Sequence, residues 1–514
     1  MTYSGQVENV TYGGQVENVT GEEGRPAAGA WIRSGWLRWG MVGMVVLMAA
    51  VSAAAGASLE FLLGQIALLI SLYLALVILS DRPLLNPPQA TVALFYWWFG
   101  VGPVVTGGFY LAAGQPTHAL YTMESGRESL WIVALGLPLL ALAGRLTLNW
   151  LQATRLYAGF LLPEGFLYRP ATILAFFAAG QALRVIMRLL ILINVQGIST
   201  VNYLGGTVTN IWWVGVLNAM TRIETLGMVA LIFALATKGW RSYPWWLITI
   251  GLVIIGQNLV AALTSGWKTD LVSVFFYALC ARLAWQQRPP LGWMVALVVG
   301  FLVFINPFVT YGRQLAQIAR AATAQERQYF FEQALEQGAY SVKGDWRSLQ
   351  VESLFRGIYP LAGAVTRQNE FWDGAWDGQT LLWGLQVIIP RALFEDKPDS
   401  TIGNFFSRMV GAAIGLTNSR DYAHSSAIAI PFEFMGNYGW LAGVASFPVL
   451  GAFIALLSGW LLSAERVSDH PLSPFLVMLV ISVEASLGSF LADVRDLFIP
   501  VAVAFGVWLL FRRL

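Results

Sequence analysis

From Met41 to the last residue, apolar runs of about 20 residues recur, each the length a helix needs to cross a bilayer. No feature constrains the fold more. In lipid the backbone must satisfy its own hydrogen bonds, and a helix does so within one segment. Hydrophobic residues are 57% of the chain and charged residues 12%, about half the charged share of a soluble domain. Too few charges remain to cover a surface facing water. This excludes a soluble enzyme and a disordered scaffold. A net charge of +2 leaves no surplus for a nucleic-acid partner. The single cysteine, Cys280, lies in an apolar run, so no intrachain disulfide forms.

The pattern predicts an all-α polytopic membrane protein with about 12 transmembrane helices. The expected spans are 39–56, 59–80, 91–113, 130–148, 171–194, 211–237, 245–264, 269–285, 291–310, 437–462, 474–491 and 496–511. Residues 1–35 read as a disordered cytoplasmic tail without a cleavable signal. Within it Gly5-Gln-Val-Glu-Asn-Val-Thr11 returns as Gly14-Gln-Val-Glu-Asn-Val-Thr20, a polar duplication too short to form a solenoid. Spans one to nine occupy 36–310, a large external (periplasmic-side) loop 311–436, and spans ten to twelve 437–514.

Basic residues set the orientation. With the N-terminus cytoplasmic, fourteen Lys and Arg lie on the cytoplasmic side, from Arg25 to Arg513, against Arg127, Lys268 and Arg495 in the short loops opposite. Positive-inside asymmetry of this size places both termini in the cytoplasm. The long loop alternates charged stretches with apolar ones too short to span, such as Thr380–Ile389 and Met409–Leu416. Such runs read as interfacial or re-entrant helices, a cap with pieces dipping among the spans.

Charges within apolar runs are candidates for chemistry. Arg184 and Arg188, four residues apart, share a helix face, and the fifth span holds no acidic residue. They suit an anionic ligand, phosphate above all, unless a carboxylate of another span such as Glu224 or Glu484 pairs with them. Arg222 and Glu224 read as a structural pair, although a two-residue offset does not set them face to face. In the long loop, Pro390-Arg391-Ala-Leu-Phe-Glu395-Asp396-Lys397-Pro398 puts two cations and two carboxylates between prolines. Arg408 and Arg420 follow, then His424, a candidate proton acceptor, and Glu433. No metal-ligand set and no nucleotide loop presents itself.

The order Ile389-Pro390-Arg391…Glu395-Asp396-Lys397-Pro398, then His424, then Glu433-Phe-Met-Gly436-Asn437-Tyr438-Gly439 leading into a span resembles the Wzy-type oligosaccharide repeat-unit polymerases, which are related to the O-antigen ligases. The likeness covers about residues 387–440 in motif and the whole chain in topology. Arg391 is followed by Gly403 with eleven residues between, a departure from the arginine-to-glycine spacing of some family members. The resemblance implies a glycosyltransferase at the outer face of the bacterial inner membrane. Its substrates would be undecaprenyl-pyrophosphate-linked oligosaccharides, without a cofactor or metal. Other partners would be membrane lipids, chain-length regulators and export proteins.

In that scheme Arg184, Arg188, Arg391, Lys397, Arg408 and Arg420 cradle the departing pyrophosphate. His424 and Glu433 are the candidate bases for the acceptor hydroxyl, with Glu395 and Asp396 behind them. Trp346, Phe371, Trp372 and Trp376 are candidates to stack on sugars or to anchor at the interface. A glycan ligase and a lipid-linked-oligosaccharide flippase are the alternatives.

Overall fold

The computed structural model describes residues 35–81, 86–154, 164–194, 212–265, 268–286, 292, 296, 300, 358–367, 376–389, 405–411, 427–462, 470, 472–484 and 486–513. Helix dominates these residues, and none of them is in a strand. Helix α1 (Gly35–Ala55) ends at Gly56, whose φ of +71° suits glycine. Helix α2 (Leu59–Ile78) is capped by Ser58, whose hydroxyl accepts the Phe61 N–H at 3.2 Å. Helix α3 (Pro87–Tyr96) starts on two prolines and passes through a π turn (Trp97–Val101) into α4 (Gly102–Ala112). Short α5 (Pro116–Glu124) leads to α6 (Arg127–Thr154).

After one helical turn, α7 (Glu164–Leu167), come α8 (Pro170–Asn194), α9 (Trp212–Lys238), α10 (Trp245–Ser265) and α11 (Lys268–Gln286). Three short helices follow: α12 (Ile358–Thr366), α13 (Gln379–Gln386) and α14 (Ile430–Tyr438). Helix α15 (Trp440–Leu462), α16 (Ser473–Ile481) and α17 (Leu487–Arg513) complete the described chain.

Among the described residues six helices are long and apolar enough to cross a membrane: Leu59–Ile78, Pro87–Ala112, Arg127–Thr154, Pro170–Met187, Ala219–Ala236 and Trp440–Leu462. Shorter apolar helices run over Trp39–Ala55, Trp245–Asn258 and Val274–Leu283, matching three more expected positions. The expected span 291–310 lies almost wholly outside the described residues. One expectation is corrected. The break between the last two spans falls at 482–486 rather than near 493, and Asp493, Arg495 and Asp496 sit within α17. Charges that read as a loop are held in helix by the ion pairs described below.

The bundle is tightened where small residues let backbones meet. Helices α6 and α15 approach with Gly451 against the Leu140 carbonyl and Gly136 against the Phe447 ring. The π turn has a local cause. Pro103 has no N–H for the Phe99 carbonyl four residues earlier, and Gln65 of α2 donates Nε2 to that oxygen at 2.9 Å. The short helices dip into this core rather than lie on it. Phe99 stacks on Phe432 of α14 at 5.3 Å and meets Tyr359 of α12 edge-on at 6.0 Å.

Candidate functional site

Three polar assemblies link the described helices. The first joins α8, α9 and α10. Glu224, fully buried, is paired through Oε1 with Arg184 Nη2 at 3.2 Å, and its Oε2 accepts from Gln181 Nε2 at 2.9 Å. Arg184 also donates to Asn258 Oδ1 at 3.0 Å, and Gln181 to Gln257 Oε1 at 3.0 Å. Gly180 makes the crossing close enough, since a Cβ there would collide with the Glu224 side chain. Arg184 therefore does not face a ligand as an uncompensated charge. Its partner comes from a neighbouring span, as a guanidinium at this depth requires.

The second assembly joins α9, α13 and α17. Arg222 pairs with Asp493 at 3.4 Å and Asp496 at 3.6 Å, not with Glu224. Two helical positions are about 200° apart, so the two side chains leave α9 on opposite faces. Arg495 closes the group on Asp496 at 2.8 Å and donates Nη1 to the Val387 carbonyl, just past α13, at 3.1 Å. The quartet holds two cations and two carboxylates. It fastens the chain three residues ahead of Pro390.

The third lies beneath α14. Glu433 is wholly buried, its Oε2 accepting the Leu487 N–H at 2.6 Å at the start of α17. One turn on, Asn437 donates Nδ2 to the Thr380 hydroxyl and to the Glu433 carbonyl, each at 2.7 Å. Glu433 Oε1 and Asn437 Oδ1 are buried and accept no hydrogen bond. Burial pushes the Glu433 carboxyl up to about 7, while the Leu487 amide and the Thr380 hydroxyl pull it down. Four residues before Glu433, Ala429 holds φ +62°, a left-handed setting rare for alanine, and opens α14 with its carbonyl.

A further set of contacts fastens α12. Arg367 pairs with Glu128 at 3.6 Å and donates to the Ser125 carbonyl at 3.0 Å, and Gly363 packs directly on the Ser125–Gly126 backbone. Arg127 gathers Glu60, Glu124 and Glu128 around the same corner at 3.1–3.4 Å.

Of the candidate cradle and base residues, Arg184 and Glu433 are described in full, each in a different assembly. Trp376, a candidate to stack on sugars or anchor at the interface, is instead buried against Phe405 and Phe406. The backbones of Arg188 and Arg408 lie in α8 and in a second π turn (Ser407–Gly411), and their side chains lie outside the description. Arg391, Lys397, Arg420 and His424 lie outside the described residues, as do Glu395 and Asp396. Sequence reasoning passed over Gln181, Gln257 and Asn258, and over Asp493 and Asp496. Their signal was polarity within an apolar run, which weighs little until a partner helix is known. Among the described residues no group of three or more His, Cys, Asp or Glu side chains is set to hold a metal.

A family model described as a domain of unknown function, DUF8712, matches residues 185–458, more than half of the chain. The chain belongs to the DUF8712 family. No curated protein and no solved structure matches it. The DUF8712 segment runs from mid-α8 through α9, the Pro390–Pro398 motif and α14 into α15, so Arg222, Glu224 and Glu433 fall within it. Arg184, Asp493 and Arg495 bind it from outside.

Proposed function

We propose that this DUF8712 protein is a membrane glycosyltransferase, with twelve spans and an external cap, that polymerises undecaprenyl-pyrophosphate-linked oligosaccharide repeat units at the outer face of the bacterial inner membrane. The observation that carries the reading is the route of the long segment between α11 and α15. Its described pieces α12, α13 and α14 are short helices anchored inside the bundle, and the Pro390–Pro398 motif and His424 are strung between α13 and α14. A reaction on a lipid-borne substrate needs chemistry-bearing residues held at the membrane by rigid elements, and this segment is tethered on both sides of them.

Negative charge building on the departing pyrophosphate calls for fixed cations. Because Glu224 already counters Arg184, the cradle in this reading rests chiefly on Arg188, Arg391 and Lys397, with Arg408 and Arg420 in reserve. Removing one such group costs on the order of 3–4 kcal/mol of barrier stabilisation. Complete burial and the Leu487 bond make Glu433 a fastener of α14 rather than a proton acceptor open to a sugar, which leaves His424 as the base.

The test is reconstitution with a lipid-linked repeat unit and gel analysis of product. Wild type should give a ladder, and Arg391→Ala and His424→Ala should lose it while inserting at normal levels. Full ladders from both variants would remove the assignment, and single transfer to a foreign acceptor would favour a ligase. The Arg184–Glu224 network favours one second reading, a lipid-linked-oligosaccharide flippase, because polar groups at membrane depth suit a charged head group in transit. Vesicles that translocate a fluorescent lipid-linked oligosaccharide without lengthening it would decide for that reading.

A further inference from the structure

Among the described residues, no cation stands beside the Glu433 carboxylate, which is fully buried and ion-paired with no Lys, Arg or His. The carboxyl receives the Leu487 N–H on Oε2 and is reached by the Thr380 hydroxyl, while Oε1 accepts no hydrogen bond. Asn437, one turn later on the same face and 2% exposed, repeats the pattern. Both of its recorded hydrogen bonds leave from the amide nitrogen, while Oδ1 stays empty. The neighbouring carbonyl fixes the orientation of that amide. Its nitrogen lies 2.7 Å from the Glu433 carbonyl, which cannot donate.

Two buried acceptors without a donor, one charged, are an expensive arrangement unless something positive sits between them. The Thr380 hydroxyl oxygen, in contact with the Asn437 amide, supplies a third oxygen. Three hard oxygen donors carrying a single negative charge match a small monovalent cation. A divalent ion would leave a net positive charge in an apolar core.

We infer that Glu433, Asn437 and Thr380 form a sodium-ion site that locks α14 to α13 and to the start of α17. The inference is independent of the glycan reading and is tested without it. A resident ion that binds only the folded chain raises stability with its concentration. Purified full-length protein in detergent at pH 8 is melted in increasing NaCl, with choline chloride holding ionic strength constant. The expected result is a sodium-dependent rise in the melting midpoint of about 3 °C or more, absent with choline.

Glu433→Gln gives Asn437 Oδ1 an N–H donor in place of the ion, so it should fold and lose the sodium response. Thr380→Val is read in the same way if the first variant fails to accumulate. Radioactive sodium should bind the wild type and be lost from the variants. A flat wild-type profile, or the same shift in both variants, overturns the site. So does a midpoint that moves with pH but not with sodium, which would mean a proton shared between Glu433 and Asn437.

Discussion

Arg222 and Glu224 lie two residues apart on α9 and do opposite things. One reaches α17 and the other receives Arg184 from α8. Truncating one member of a buried pair strands the other, a loss of about 3–5 kcal/mol, whereas replacing both with apolar residues is close to neutral. Glu224→Ala should therefore lower the melting temperature steeply, and Arg184→Met with Glu224→Leu should recover most of it. Equal loss in single and double variants would show that the pair contributes nothing by itself.

Glu433 gives a pH signature of a definite sign. Its folded carboxyl titrates near 7, above the usual carboxylate range, so the folded state holds the proton more tightly than the unfolded chain. In sodium-free buffer, stability should be greatest below about pH 4.5 and fall as pH rises through 7. Glu433→Gln should flatten that slope in melts across the range. The sequence marked Arg184 and Glu433 as unusual because charge is rare in apolar runs. It could not name their partners, which come from helices 40 and 54 positions away.

At the scale of elements, the helix over 87–112 was legible as one apolar run, but its π turn was not. The turn depends on Pro103 meeting a glutamine from α2. Gln65→Leu should strand the Phe99 carbonyl and cost about 1–3 kcal/mol in thermal or denaturant unfolding. Adding Pro103→Ala, which returns a backbone N–H to that carbonyl, should restore part of the loss. No recovery would mean that Gln65 acts only through packing. Gly363 is a second pressure point. A side chain there runs into the Ser125 carbonyl, so Gly363→Leu should detach α12 and raise protease sensitivity around residue 367. Neither feature has a sequence signature beyond one glycine or one proline among many. The misplaced break near 493 has the same origin. Asp493, Arg495 and Asp496, three charges within four residues, look like a loop until Arg222 appears opposite.

For the molecule as a whole, hydropathy was the readable part. It anticipated the positions of α1 to α4, α6, α8 to α11 and α15, because bilayer thickness imposes a length that single residues cannot disguise. Orientation rests on the basic residues and has a direct check. With Cys280→Ala as background, Ala113→Cys at the outer end of the third expected span and Ser242→Cys beyond the inner end of the sixth lie at exposed positions. In intact spheroplasts a membrane-impermeant maleimide should label the first and spare the second until the membrane is broken. The reverse pattern would invert the topology. The motif between α13 and α14 stood out in the sequence as a cluster of charges between prolines, whereas the burial of its flanking helices needed coordinates.

That burial bears on how such a chain can change over time. Two points held by Arg495 and by Glu433 flank the stretch from 390 to 426, and within it Phe406 and Val410 are buried in the core. Lengthening a segment between fixed anchors is cheap, about 0.6 kcal/mol for each doubling. Insertions on either side of residues 405–411 should therefore be tolerated while the frame is kept.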